Sequence, residues 1–80
     1  MQLYSYFVVF PEGETQEIQG NLRGNALVDM NGRELELPLR SHRIVAYRVM
    51  KMRTTEERGE TKRYYFLDLV PAAELIAFLG

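Results

Sequence analysis

Residues 43–70 read RIVAYRVMKMRTTEERGETKRYYFLDLV, and this stretch decides the fold. Two runs rich in β-branched and aromatic residues, 43–53 and 62–70, flank the polar segment 54–61, which contains Gly59. Two such runs on either side of a polar turn segment are typical of a pair of antiparallel strands. The stretch therefore predicts a long β-hairpin in the second half of the chain.

The alternation of apolar residues in the first arm of this hairpin changes phase near its middle. Val45, Tyr47 and Val49 alternate, but the next apolar residues are Met50 and Met52. One extra residue in a strand causes such a shift, because it lets the following stretch face the same side again while the strand bends. We therefore predict a β-bulge at Val49-Met50, with both methionines on the side of the core.

The second arm alternates regularly but contains an unexpected carboxylate. Asp is disfavoured inside strands, yet Asp68 lies between Phe66 and Val70. We interpret Asp68 as a structural carboxylate, paired with an Arg or Tyr or placed close to a helix start, and a site residue is the alternative. The two faces of this arm are expected to hold Tyr65, Leu67 and Leu69 on one side, and Tyr64, Phe66, Asp68 and Val70 on the other.

The run from Leu3 to Phe10 predicts the first strand, because β-branched and aromatic residues end there at the turn cluster Pro11-Glu12-Gly13. Both faces of this strand are apolar, and a small barrel has only one interior. The second face should therefore meet the C-terminal helix, a partner subunit or a ligand. One face holds Leu3, Ser5, Phe7 and Val9, and the other holds Tyr4, Tyr6, Val8 and Phe10.

The middle of the chain predicts a weak strand at Glu17 to Arg23 and a second hairpin around Asn31-Gly32. Asn-Gly favours the two positive φ angles of a type I′ turn, which joins Ala26–Met30 to Arg33–Leu39. This turn would pair Met30 with Arg33, Val28 with Leu35 and Ala26 with Leu37, and it would turn Glu34 and Glu36 outward.

The last segment predicts a short helix. Pro71 is favoured at a first helical position, and good helix formers follow it. Leu75, Phe78 and Leu79 share one helical face, so the helix should lie over an open end or edge of the sheet.

The length and composition limit the fold to one domain over residues 1–80. The chain has 46% hydrophobic and 26% charged residues, and 80 residues build a single core. We predict a mainly β fold: a small antiparallel SH3-like barrel of about five strands with a short C-terminal helix, or, alternatively, a curled open sheet.

Targeting signals are weak, so the cytoplasm is the expected location. The first apolar run is far shorter than the roughly 20 residues that cross a bilayer. Met1-Gln2 also lacks the positive charge with which a secretory signal starts. No membrane contact is expected.

Positive charge is concentrated in residues 40–63, although the whole chain has a net charge of -1. That window holds eight Lys/Arg against three Glu, a net +5, and the remainder is acidic at -6. A basic β-hairpin over residues 43–66 could bind RNA or DNA, but Lys and Arg also guard sheet edges against aggregation. In this nucleic-acid interpretation Arg48, Lys51, Arg53, Lys62 and Arg63 contact phosphate and Tyr64 stacks on a base.

Catalytic and cofactor motifs are missing. His42 is the single histidine, the chain has no cysteine, and residues 20–24 lack the pattern of a nucleotide-binding loop. The sequence therefore indicates no enzyme, no metal and no small-molecule cofactor, but a binding module that contacts another protein or itself. The candidate binding residues are Tyr4, Tyr6, Arg48, Lys51, Arg53, Lys62, Arg63 and Tyr64.

Overall fold

The computed structural model describes residues 3–80, so Met1 and Gln2, on which the targeting expectation depends, lie outside the described residues. The strands are β1 (Leu3–Val9), β2 (Thr15–Ile18), β3 (Leu27–Val28), β4 (Tyr47–Glu57) and β5 (Glu60–Leu69). Helix α1 (Ala72–Leu75) follows and continues as a 3₁₀ turn, Ile76–Phe78.

The five strands form one sheet in the order β2-β1-β5-β4-β3, which curls into a half-barrel. This confirms the mainly β fold with a short C-terminal helix. Of the two predicted architectures, the open curled sheet is the one observed.

The sheet is mainly antiparallel, as predicted, but it contains one parallel pair. β5 pairs with β4 antiparallel, but it pairs with β1 in parallel, from Leu3 opposite Glu60 to Val9 opposite Phe66. Parallel neighbours need a long connection, and here the whole middle of the chain supplies it.

The β4–β5 hairpin confirms the predicted pairing but is longer at its tip. Most of the predicted polar tip is strand, and the turn consists of Arg58 and Gly59, at φ 49° and 80°. Two positive φ angles are what a type I′ turn requires. The first arm begins at Tyr47 rather than at Arg43.

The predicted bulge is confirmed. Val49 lies opposite Leu67 and Lys51 lies opposite Phe66, so Met50 is the extra residue. Met52 lies opposite Tyr65, on the side of the core as predicted, but both methionines remain exposed, Met50 at 60% and Met52 at 52%. Beyond the bulge, the hairpin extends past the clusters of buried residues.

The end of β5 keeps the predicted alternation. Leu69 lies opposite Tyr47 on the face of Leu67 but is 53% exposed, and Val70, which follows on the other face, is buried. Val45, expected on the face of Tyr47, precedes β4 and is exposed.

The predicted type I′ turn at Asn31-Gly32 is wrong. Only Gly32 has a positive φ, 81°, and its N–H donates to the carbonyl of Asp29 at 3.0 Å. The Asp29 carboxylate also accepts from the N–H groups of Asn31 and Arg33 at 2.9 and 3.0 Å. A side chain that binds nearby backbone donors stabilises this three-residue loop instead.

The longer loop shifts the register of this segment by one residue. Val28 lies opposite Glu34 rather than Leu35, and Leu35 is half-buried while Glu34 remains exposed. The weak strand predicted at Glu17 to Arg23 is displaced as well, since β2 ends at Ile18.

Buried residues form two clusters on opposite faces of the sheet. The first cluster lies on the face that we name the core face, and Tyr6 and Tyr47 pack against it. The second includes Leu75 of α1, which confirms that the helix lies over one end of the sheet. The first cluster consists of Val8, Phe10, Val28, Tyr65 and Leu67, and the second of Leu27, Leu39, Ala46, Val70 and Leu75.

We predict that Gly32→Ala destabilises the protein more than Gly13→Ala, by about 1 kcal/mol or more. Both glycines have a positive φ, which penalises any Cβ by roughly 1–2 kcal/mol. A Cβ at Gly32 would also lie 3.0 Å from Ile18 Cγ2 and 3.2 Å from Val8 Cγ2, whereas one at Gly13 meets nothing within 4 Å. Urea unfolding measures both free energies. Equal losses would contradict the tight packing at Gly32.

Candidate binding surface

One part of the sheet remains uncovered on the side opposite the core face. Side chains alternate along a strand, and residues opposite one another on neighbouring strands face the same side. Because Val8 lies opposite Tyr65 in the core, Phe7, opposite Tyr64, faces the other way. We name this second surface the open face and define it by four apolar residues, Phe7, Val9, Tyr64 and Phe66, and three basic ones, Lys51, Arg53 and Lys62.

The aromatic side chains of the open face contact one another and a neighbouring cation. The rings of Phe7 and Tyr64 stack at 5.1 Å between centroids with 17° between their planes. Lys51 Nζ lies 4.9 Å from the centroid of the Phe66 ring. The four apolar residues are half-buried, and neither buried cluster of residues 3–80 includes any of them. They form a patch that the fold itself leaves without a covering layer.

Helix α1 covers only one end of the side that carries the open face. Leu75 packs with Leu27 and Val70. Glu74 of α1 forms an ion pair with Arg48, with 3.0 Å between Oε2 and Nη1. The seven helical residues reach no further along β1 and β5. The helix therefore does not cover the second face of the first strand. Of the three coverings expected for this face, a partner subunit and a ligand remain.

The structure divides the sequence-predicted binding residues between the two faces. Lys51, Arg53, Lys62 and Tyr64 lie together on the open face, and Arg48 lies on the same side in its ion pair with Glu74. The other three predicted residues, Tyr4, Tyr6 and Arg63, lie on the core face.

Arg63 has a structural role on that core face. Its Nη1 donates to Oδ1 of Asn21 at 3.0 Å, and the hydroxyl of Tyr65 donates to the same oxygen at 2.7 Å. Among residues 3–80, the buried Nε of Arg63 has no hydrogen-bond partner. The guanidinium therefore holds the loop after β2 against the sheet and is not directed outward.

Sequence reasoning missed Phe7, Val9 and Phe66 as surface residues. The alternation placed Phe7 and Val9 on one face of β1, but it gave no sign of which face is open. The parallel register with β5 supplies that information.

The charges around the open face are mixed. Lys62 Nζ lies 3.9 Å from a carboxylate oxygen of Glu60, and Glu57 lies directly opposite Glu60. Asp68 is exposed and lies opposite Arg48, but the ion pair that Arg48 forms within residues 3–80 is with Glu74, so the predicted pairing of Asp68 with an Arg is not observed. The net positive charge of the hairpin is thus partly balanced where its side chains meet solvent.

A groove lies between β2 and the loop at Gly32, but its polar groups bind one another. Gln16 Nε2 donates to the carbonyl of Asn31 at 2.6 Å, and Arg23 forms an ion pair with Glu34 at 2.7 Å. His42 is half-buried in the connection before β4.

Within residues 3–80, no three His, Asp or Glu side chains are grouped so that they could hold a metal ion. No helix within these residues has the length and apolar character that crossing a membrane needs.

Comparison with known proteins identifies the family. Residues 2–78 match the family described as uncharacterised Treponema protein, and the chain belongs to it. No curated protein and no solved structure matches the chain.

We predict that Asn21→Ala lowers the free energy of unfolding by about 1–2 kcal/mol, because it leaves the nearly buried hydroxyl of Tyr65 without its acceptor. Tyr65→Phe is the matched control, since it removes the donor instead. The double variant should lose less than the sum of the two single losses, as urea unfolding of all four proteins would show. Strictly additive losses would contradict a shared hydrogen bond.

Proposed function

We propose that this family member is a non-enzymatic binding module that binds another protein, or a second copy of itself, through the open face. The observation that supports this most is the uncovered patch of four apolar side chains on the adjacent strands β1 and β5. Charged side chains of both signs surround it. An apolar centre within a polar rim is the usual arrangement of a protein interface.

The geometry of the aromatic rings favours a protein partner over stacked bases. One face of Phe7 is engaged by Tyr64, and the ring of Phe66 already has Lys51 above it. Inserting a base between Phe7 and Tyr64 would break their stack, and stacking a base on the same side of Phe66 as Lys51 would displace that ammonium. Apolar side chains from a partner can pack on the outer surface of the patch without disturbing them, so little side-chain entropy is lost on binding.

The layer structure of the fold gives a second argument. A sheet with apolar side chains on both faces is stable when each face packs on another layer. Ile18 and Leu22 pack on the cluster of the core face, while the short helix and Leu39 pack on the opposite side only at the end near Val70. A partner on the open face would supply the missing layer.

Nucleic-acid binding by the hairpin is the second candidate function, and one observation favours it. Lys51, Arg53 and Lys62 converge around Tyr64 on the same face. A cationic sheet surface with aromatic rings can bind single-stranded nucleic acid. Glu57 and Glu60 oppose this function, as they lie at the tip of the same hairpin.

We predict that a photo-crosslinking phenylalanine analogue at Phe7 captures a discrete partner in cells that make the protein. The analogue replaces one aromatic ring with another and is directed at whatever covers the patch. Mass spectrometry of the adducts would identify the partner. Adding Phe66→Glu should lower the yield at least about tenfold, since it removes an aromatic contact and places a charged group in the apolar centre.

The matched control for this experiment places the same analogue at Met30. Met30 is 60% exposed, but it lies in the loop of the other hairpin, away from the open face. Equal adducts from both positions, or none from Phe7, would contradict the proposal. An adduct between two copies of the chain would identify the protein itself as the partner.

For the alternative, we predict that a fluorescent oligouridine binds the wild type more weakly at about 200 mM than at about 50 mM salt, because bound phosphates release counterions. Fluorescence anisotropy measures the affinity. Lys62→Ala should weaken binding, whereas Arg63→Ala, checked for folding, is the matched control because its guanidinium faces Asn21. Affinity that does not change with salt would exclude this function.

A further inference from the structure

The outer edge of β4 has no neighbouring strand beyond the bulge. β3 pairs only with Tyr47 and Arg48, and the register shift follows at Met50. Within residues 3–80, no strand pairs with the outer edge of residues 51–57, and all seven of these residues are exposed. At about 3.3 Å per residue, this free edge is about 23 Å long. We name it the β4 edge.

The turn at Arg58-Gly59 determines which backbone groups point outward from the β4 edge. A two-residue turn makes Glu57 and Glu60 a hydrogen-bonded pair, and hydrogen-bonded pairs then alternate along the hairpin. The backbone groups of Arg53 and Thr55 are therefore directed at β5. Those of Met52, Thr54 and Glu56 are directed away from the sheet and are available to another strand.

The charges on the β4 edge complement an antiparallel copy of the same segment. Lys51 and Arg53 form its first half, and Glu56 and Glu57 form its second half. Charged residues on an edge discourage pairing with unrelated strands. An antiparallel second copy would place the basic half of each strand against the acidic half of the other.

Symmetry restricts the register of such a pair. A two-fold axis perpendicular to the sheet keeps each face continuous across both copies, so only residues of the same face can lie opposite one another. With Thr54 opposite Thr54 of the second copy, Lys51 lies opposite Glu57 and Arg53 lies diagonal to it. Cross-strand pairs of opposite charge stabilise antiparallel strands.

The two nearest registers are less favourable. A pair centred on Arg53 would place two Arg side chains opposite each other, which is repulsive. A pair centred on Thr55 would place Arg53 opposite Glu57, but it would leave Lys51 opposite Gly59 and without a carboxylate. The register centred on Thr54 also brings together two β-branched residues, which suit strands.

The environment of Glu57 in the single chain points to the same partner. Glu57 lies directly opposite Glu60, an unfavourable pair of like charges. Glu60 has Lys62 at 3.9 Å, but none of the ion pairs within residues 3–80 includes Glu57. A lysine from a second copy would compensate this charge.

We propose that two copies of this chain pair antiparallel through the β4 edge, centred on Thr54, and join their sheets into one sheet of ten strands. The interaction uses backbone groups and edge charges, and it does not depend on binding at the open face. A failure of the open-face proposal therefore leaves this one intact.

The test exchanges the charges of the pair. In Lys51→Glu alone, the introduced carboxylate would face Glu57 of the second copy, and in Glu57→Lys alone, the introduced ammonium would face Lys51. Either variant should raise the Kd for dimer formation at least about tenfold, since two attractive pairs become repulsive. A mixture of the two variants should form heterodimers with nearly wild-type affinity, because both pairs are restored. Sedimentation velocity over a concentration series measures all three, with 9.3 kDa as the mass of a single chain.

Glu14→Lys is the matched control, because it makes the same change in charge at an exposed position next to β2, at the opposite edge of the sheet. It should leave the dimer intact. A wild type that stays monomeric up to about 1 mM would overturn the proposal, and so would a mixture that fails to form heterodimers. Equal dissociation by Glu14→Lys would also overturn it, because net charge rather than register would then govern association.

Discussion

The pairing of both edges of β5 is the constraint on which the rest of the structure depends. β1 lies along one edge in parallel and β4 along the other antiparallel, so β5 fixes the register of both neighbours. That register decides which side chains share a face. It places Val8 beside Tyr65 in the core and leaves Phe7 beside Tyr64 on the open face. The core and the candidate binding surface are therefore two results of the same set of backbone hydrogen bonds.

Local features of the fold could be predicted from the sequence because nearby residues determine them. The bulge follows from the shift at Met50, and the β4–β5 hairpin follows from two apolar runs around a glycine. The same reasoning failed at Asn31-Gly32. There the carboxylate of Asp29 binds two backbone N–H groups and stabilises a longer loop, while Arg58-Gly59 adopts the type I′ turn without an Asn. The preference of Asn-Gly for a type I′ turn was thus weaker than the hydrogen bonds that the Asp29 side chain forms with the loop.

The candidate site could be predicted only in part, because its composition depends on distant pairing. The basic residues of the hairpin were evident, but Lys62 and Arg63 are neighbours that face opposite sides of the sheet. Arg63 donates a hydrogen bond to Asn21, which lies 42 positions away in the sequence. β1 contributes half of the apolar patch through its parallel pairing with β5. No local pattern in β1 or β5 indicates that these two strands pair. Tyr4 and Tyr6 were chosen over Phe7 for the same reason.

The edge and the open face are separate surfaces, but Lys51 connects them. Its ammonium lies 4.9 Å from the Phe66 ring on the open face, and in the proposed pair it would lie opposite Glu57 of the second copy. A two-fold axis perpendicular to the sheet would also leave both open faces on the same side of the dimer. A partner with two matching sites would then bind with a gain from effective concentration. Because pairing would restrict Lys51 at the rim of the patch, dimer formation and partner binding would affect each other reciprocally.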